Sequence, residues 1–182
     1  MPTIITHALL PLIAGKALGS RRISPRLIWA GIVAAMLPDT DVIGFRLGIP
    51  YGAELGHRGA SHSLMVALLC GAAAAMVARI LRSSPLAAFA FVALSAASHG
   101  LTDMLTNGGR GIALWWPFSA EPLFWPVRPV EVSSIGLRAL TDGSMASVVA
   151  SEILWLVAPA TLLALLFRGV VATHIDLVRG QS

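Results

Sequence analysis

The chain has 182 residues, of which 56% are hydrophobic and only 12% charged, against roughly 25% charged in an ordinary soluble domain. That balance excludes a soluble globular fold and points to an integral membrane protein, one domain spanning 1–182. The net charge of +4 rests on twelve arginines and one lysine; no basic stripe with interleaved aromatics accompanies them, so the excess reads as a topology signal and no nucleic-acid partner is expected.

The expected fold class is all-α: a polytopic membrane helical bundle with about five apolar segments, giving four to five spans of the roughly 20 residues a bilayer requires. The first segment, about Ile4 to Gly19, is short and carries Lys16; the stretch before it lacks a charged leader region, so it is expected to stay attached. The second runs from Leu27 to about Phe45 and contains "LPDTD". The third, Ser63 to Leu81, and the fourth, Leu86 to about Leu105, are joined by the short "RSSP" turn. A connection rich in Gly, Pro and Trp then covers 106–152, and the last span is 153–171. The single Cys70 lies in an Ala-rich run and behaves as a small hydrophobe.

Arginines set the expected orientation. Arg21, Arg22 and Arg26, then Arg79 and Arg82, then Arg168 and Arg179 belong to the cytoplasmic side. Arg46, Arg58, Arg110, Arg128 and Arg138 are spread over longer connections and mixed with Glu54, Glu121, Glu131 and Asp142, which belong outside. Five spans then leave the N-terminus outside and the C-terminus in the cytoplasm.

On that map the metal-ligand residue types do not scatter. His7, Asp39, Asp41, His57, His62, His99 and Asp103 all fall toward the outer face, and His174 alone of the histidines lies in the cytoplasmic tail. In "HGLTD" the i,i+4 spacing puts His99 and Asp103 on one helical face, and ionisable residues inside a span default to functional roles. In "LPDTD", Asp39 and Asp41 do not share a face of a regular helix; Pro38 points to a break that lets both carboxylates face a polar cavity. In "HRGASHSL", Gly59 permits a tight turn, Ser61 or Ser63 can cap the third span, and Arg58 can clamp an anionic oxygen of a substrate.

Mixed His and Asp ligation favours a borderline divalent ion, zinc or manganese, and seven candidate ligands leave room for one ion or two bridged by an aspartate. The natural reaction class is hydrolysis, a phosphoester ahead of an amide or ester. Asp41 or His57 can serve as base or leaving-group acid, with Arg58 on the substrate. "GIALWWPFSAEPLFWPV" concentrates Trp115, Trp116, Phe118, Phe124 and Trp125 at the interface, as an aromatic belt or as a rim over the site.

"THALLPLIAG", "LPDTD", "HRGASHSL" and "HGLTDMLTNGG…WWPF" together resemble the YdjM-like family of membrane-bound, metal-dependent hydrolases, LexA-regulated in some bacteria, over about Thr6 to Phe118. The resemblance implies a bacterial inner-membrane location, a distant link to zinc-dependent phospholipase C and P1-type nucleases, and His99, Asp103, His62 and Asp39 or Asp41 as metal ligands. It departs from the phospholipase pattern after Asp103, where the next histidine is His174. The expected function is hydrolysis of a phosphoester in a phospholipid or lipid-linked substrate within the bilayer. The alternatives are a divalent-metal or proton-coupled transporter, which needs polar groups leading to both faces, and a non-catalytic membrane stress-response protein, which tolerates loss of the ligands.

Overall fold

In the computed structural model, residues 1–132 and 144–179 are described, with side chains to residue 171. Arg138 and Asp142 lie outside the described residues, as do the side chains of His174 and Arg179.

Serine and proline set where the helices begin. Helix α1 is Ile4–Leu18, α2 Pro25–Met36, α3 Leu64–Met76 and α4 Pro85–Asp103. Ser24, Ser63 and Ser84 each cap the following helix by accepting from the backbone N–H three residues on, and Pro25 and Pro85 fill first-turn positions that need no donor. Beyond Met36 the chain tightens into a 3-10 helix over Leu37–Leu47, because Pro38 has no N–H for the α-helical ladder. A loop and a short 3-10 turn, Ala60–His62, lead into α3. After the connection come α5, Met145–Glu152, a π-helical turn, Ile153–Val157, and α6, Ala158–Arg179, which run on as one rod.

All five apolar segments are therefore helical, and among the described residues there are no strands, only two isolated β-bridges. Three helices are long and apolar enough to cross a membrane: Pro25–Leu47, Pro85–Asp103 and Met145–Val171. Ile4–Leu18 and Leu64–Met76 are apolar but shorter. Two boundaries differ from expectation. The third segment stops being helical at Met76 instead of continuing to Leu81, and turns around Arg82, which sits at φ 53°. The last helix starts at Met145 rather than 153, taking Glu152 out of the connection and into the bundle.

Small residues decide how closely the helices approach. α4 is the central rod, with α2 on one side and α3 on the other. A Cβ on Gly71 would lie 2.8 Å from Ala93 Cβ and from the Phe89 carbonyl oxygen, so α3 meets α4 through bare backbone. Gly31 receives Phe91 and Ser95 in the same way, and Gly15 receives Ile28. The core so formed contains Leu27, Ile28, Ile32, Phe91 and Val92. Trp29, Leu86, Leu163 and Val170 point outward, as lipid-facing side chains do. Glu152 is buried and accepts from the Thr3 backbone N–H and from the hydroxyls of Thr3 (2.7 Å) and Thr6 (2.6 Å), clamping the start of α1 to α5. At the opposite end Arg26 donates to the Ile80 carbonyl at 3.0 Å, joining the two short Arg-bearing connections.

Gly71→Leu is expected to force α3 from α4 and cost about 1–3 kcal/mol, read as a lower thermal midpoint in detergent.

Candidate metal centre

The cluster forms where four chain segments end. In a 3-10 helix of three residues per turn, Asp39 and Asp41 point in different directions. Asp39 turns toward His99 of α4, Asp41 toward the loop that carries His57 and His62. That loop folds tightly: Arg58 is left-handed at φ 68°, and a Cβ on Gly59 would lie 2.1 Å from the Glu54 carbonyl oxygen. Gly59 is thus required by close approach, while the left-handed residue is Arg58 itself. Ser63, not Ser61, caps α3; Ser61 donates to Asp41 Oδ2 at 2.6 Å. Gly100 completes the approach, since a Cβ there would lie 2.6 Å from the His62 carbonyl oxygen.

The seven residues are brought together. His62 Nε2 lies 3.0 Å from His99 Nε2, 3.5 Å from Asp103 Oδ2 and 3.9 Å from Asp39 Oδ1. His99 Nε2 lies 3.4 Å from Asp39 Oδ1 and 4.0 Å from Asp103 Oδ2. The other oxygen of Asp103 is 3.6 Å from His7 Nε2, and His7 stacks on His99 with ring centroids 3.8 Å apart. His57 Nδ1 is 2.6 Å from Asp41 Oδ1. Two separate groups have the spacing to hold an ion: His7, His99 and Asp103, and Asp39, His57 and His62.

The proton positions follow from the partners. His99 Nδ1 donates to the Ala35 carbonyl at 2.7 Å, one of the last carbonyls of α2, which lack α-helical partners. His62 Nδ1 faces Ser61 Oγ at 3.0 Å and Asp41 Oδ2 at 3.3 Å. His7 Nδ1 lies 3.3 Å from Thr102 Oγ1, whose own hydrogen goes to backbone carbonyls of α4. Each imidazole thus spends Nδ1–H on the protein and turns the Nε2 lone pair inward, the arrangement of metal-ligating histidines. Burial lowers the pKa of His62 below its usual value, which keeps it neutral and able to ligate.

A divalent ion fits these residues. Both oxygens of Asp39, both of Asp103 and His7 Nε2 are buried without a hydrogen-bond partner. Unpaired buried carboxylates cost several kcal/mol each. Three carboxylates set against the one guanidinium of Arg58 leave two negative charges, and four ligand atoms around a zinc ion would stand about 3.3 Å apart.

Three residues stand apart from their expected roles. Both oxygens of Asp41 are taken by His57, Ser61 and His62, so it orients imidazoles rather than facing the ion. Arg58 is 2% exposed, too buried to present itself to a substrate in solvent. Its Nε lies 3.4 Å from Asp103 Oδ2, and its Nη atoms donate to the carbonyls of Arg110 and Gly108 and to Thr106 Oγ1. His57 is as buried as Arg58, with its Nε2 3.1 Å from Met1 Sδ, and the two side chains line a small polar pocket with Tyr51, Glu54 and Arg110. The aromatic connection covers this end: Ile112 and Leu114 are buried against it, whereas Trp115 and Phe118 project outward. Ser61, Gly100, Thr102, Thr106 and Glu152 were not singled out from sequence as parts of this site. A small or hydroxyl residue adjoining a ligand, as in "ASH" and "HGLT", was the available signal.

The model of the family described as YdjM inner membrane protein matches residues 1–175. Inner membrane protein YbcI of Escherichia coli (strain K12) is 41% identical over 164 residues, 90% of this chain and 95% of the relative. No solved structure matches the chain. With its helical spans and this extent of similarity, the chain belongs to the YdjM family of inner membrane proteins.

Proposed function

We propose that this inner-membrane protein is a metal-dependent hydrolase that cleaves a phosphoester of a phospholipid or lipid-linked substrate. The observation that carries the reading is the set of four atoms, His62 Nε2, His99 Nε2, Asp39 Oδ1 and Asp103 Oδ2, with measured separations of 3.0–4.0 Å and buried carboxylates that nothing in the protein satisfies. These residues would hold one ion, and His7 with the second oxygen of Asp103 would contribute to another. A zinc or manganese ion bound there supplies Lewis acidity toward a phosphoryl oxygen and lowers the pKa of water.

The remaining roles belong to side chains. His57, fixed by Asp41 on the buried wall of the polar pocket, carries a proton to or from the reacting oxygens. Asp41 positions both His57 and His62. Arg58 steadies Asp103 and ties the 106–110 segment to it. The arginine distribution favours the outer face for this end of the bundle. A transporter is the weaker reading: among the described residues the only buried polar side chain deeper along the bundle is Ser95, within an otherwise apolar core.

Metal content of detergent-purified protein, measured by inductively coupled plasma mass spectrometry, is expected to show about one or two equivalents of zinc or manganese. A folded His99→Ala, Asp103→Ala double variant is expected to lose them; a wild-type protein that is metal-free and cannot be reloaded would sink the reading. His57→Ala is expected to keep its metal and lose roughly 10²–10⁴-fold in phospholipid turnover in vesicles. Asp41→Asn is expected to weaken metal retention itself, by about 10–100-fold in a chelator competition.

A further inference from the structure

Helices α2 and α3 both lean on α4 from either side and barely meet each other, which leaves a cleft between them. It encloses about 180 Å³ and is walled by Ala34, Pro38, Val66, Ala67, Cys70 and Ala96. A cavity of roughly 150 Å³ with apolar walls is large enough to take a benzene-sized hydrocarbon, so this one accommodates a segment of alkyl chain. Small side chains make it: Ala34, Ala67 and Ala96 stand where larger residues would close the seam. An apolar void left within a span is costly unless something fills it, and the surrounding solvent here is lipid hydrocarbon.

The mouth of the cleft is what gives it direction. Thr40 and Ser61 line its end, Ser61 donates to Asp41 at 2.6 Å and contacts His62 at 3.0 Å, and Pro38 directly precedes Asp39. Through Ser61 the slot thus lies one hydrogen bond from Asp41, and through Pro38 one residue from Asp39. A second, polar recess adjoins the cluster through His57 and Arg58, with Tyr51, Glu54 and Arg110 around it. A ligand reaching both recesses needs a hydrocarbon chain at one end, a polar head at the other and its linkage at the cluster.

We infer that the cleft between α2 and α3 is a lateral entrance from the bilayer, taking an acyl chain of a glycerophospholipid and bringing its head-group linkage to the carboxylates. What happens at the carboxylates rests on the hydrolase reading; the seating of the chain does not.

The test uses the full chain in vesicles of phosphatidylethanolamine and phosphatidylglycerol doped with a phospholipid that carries a photoactivatable diazirine in one acyl chain. After irradiation, adducts are mapped by peptide mass spectrometry. They are expected to concentrate on residues 34–38 and 66–70 and to exceed those on the fully lipid-facing Leu162, Leu163 and Leu166 of α6. Ala67→Trp fills the cleft and is expected to abolish the cleft adducts while those on α6 persist; Cys70→Phe, from a half-buried position on the same wall, repeats the test should Ala67→Trp not fold. Adducts that simply follow exposure, with α6 labelled at least as strongly as the cleft, or cleft adducts that survive both substitutions, would overturn the inference. Metal content of the same samples separates the two ideas: cleft labelling of metal-free protein removes the hydrolase and keeps the entrance, whereas metal-loaded protein without cleft labelling does the reverse.

Discussion

Two buried carboxylates without hydrogen-bond partners are the constraint around which this bundle is arranged. Asp39 and Asp103 stand at 5% and 0% exposure, in helices packed on alanines and leucines, and their oxygens make no hydrogen bond, only longer ion-pair contacts. Charge in such surroundings persists only where an opposite charge meets it. Arg58 meets part of it through Nε, and under the proposed function a cation shared with the three inward-facing imidazoles would meet the rest. The acidic pair and the histidines thus belong to one electrostatic balance.

The way the helices end serves that balance. α2 stops at Met36, which frees the Ala35 carbonyl to hold His99, and the 3-10 continuation sends Asp39 inward and Asp41 toward the loop. Asp41 in turn fixes the ring of His62, while Thr102, the residue before Asp103, faces His7. Each inner contact is backed by an outer one from a different element, so the geometry belongs to the packing of the bundle rather than to any one motif.

Much of this was readable from the residues. The apolar segments, the helical spacing of His99 and Asp103, and the break at Pro38 follow from periodicity, turn chemistry and the cost of charge in a membrane. The convergence of His7 with the rest follows from a topology drawn from the arginines and the lengths of the apolar segments. What stayed hidden depended on three-dimensional proximity. Gly100 looks like any glycine of an apolar helix until the His62 backbone is seen against it. Arg58 in "HRGASHSL" could not be told from a surface arginine, since its inward course depends on a left-handed backbone and on carbonyls of Gly108 and Arg110, 50 and 52 residues further on. Glu152 closed a polar connection by composition, yet the helix begins at Met145 and carries it inside.

That glutamate has a consequence for how the protein is built. Thr6 and Glu152 are 146 residues apart in the chain, and their contact fixes the start of α1, one residue from His7. Such a distant pairing is a late event in assembly, because the loop it closes is nearly the whole polypeptide. The first four helices can pair as they are synthesised, but the end of α1 that carries His7 is secured only when the last span arrives. Order of synthesis thereby becomes order of competence: a chain interrupted before its final helix holds all seven candidate ligands and lacks the fastening that keeps the first of them in place.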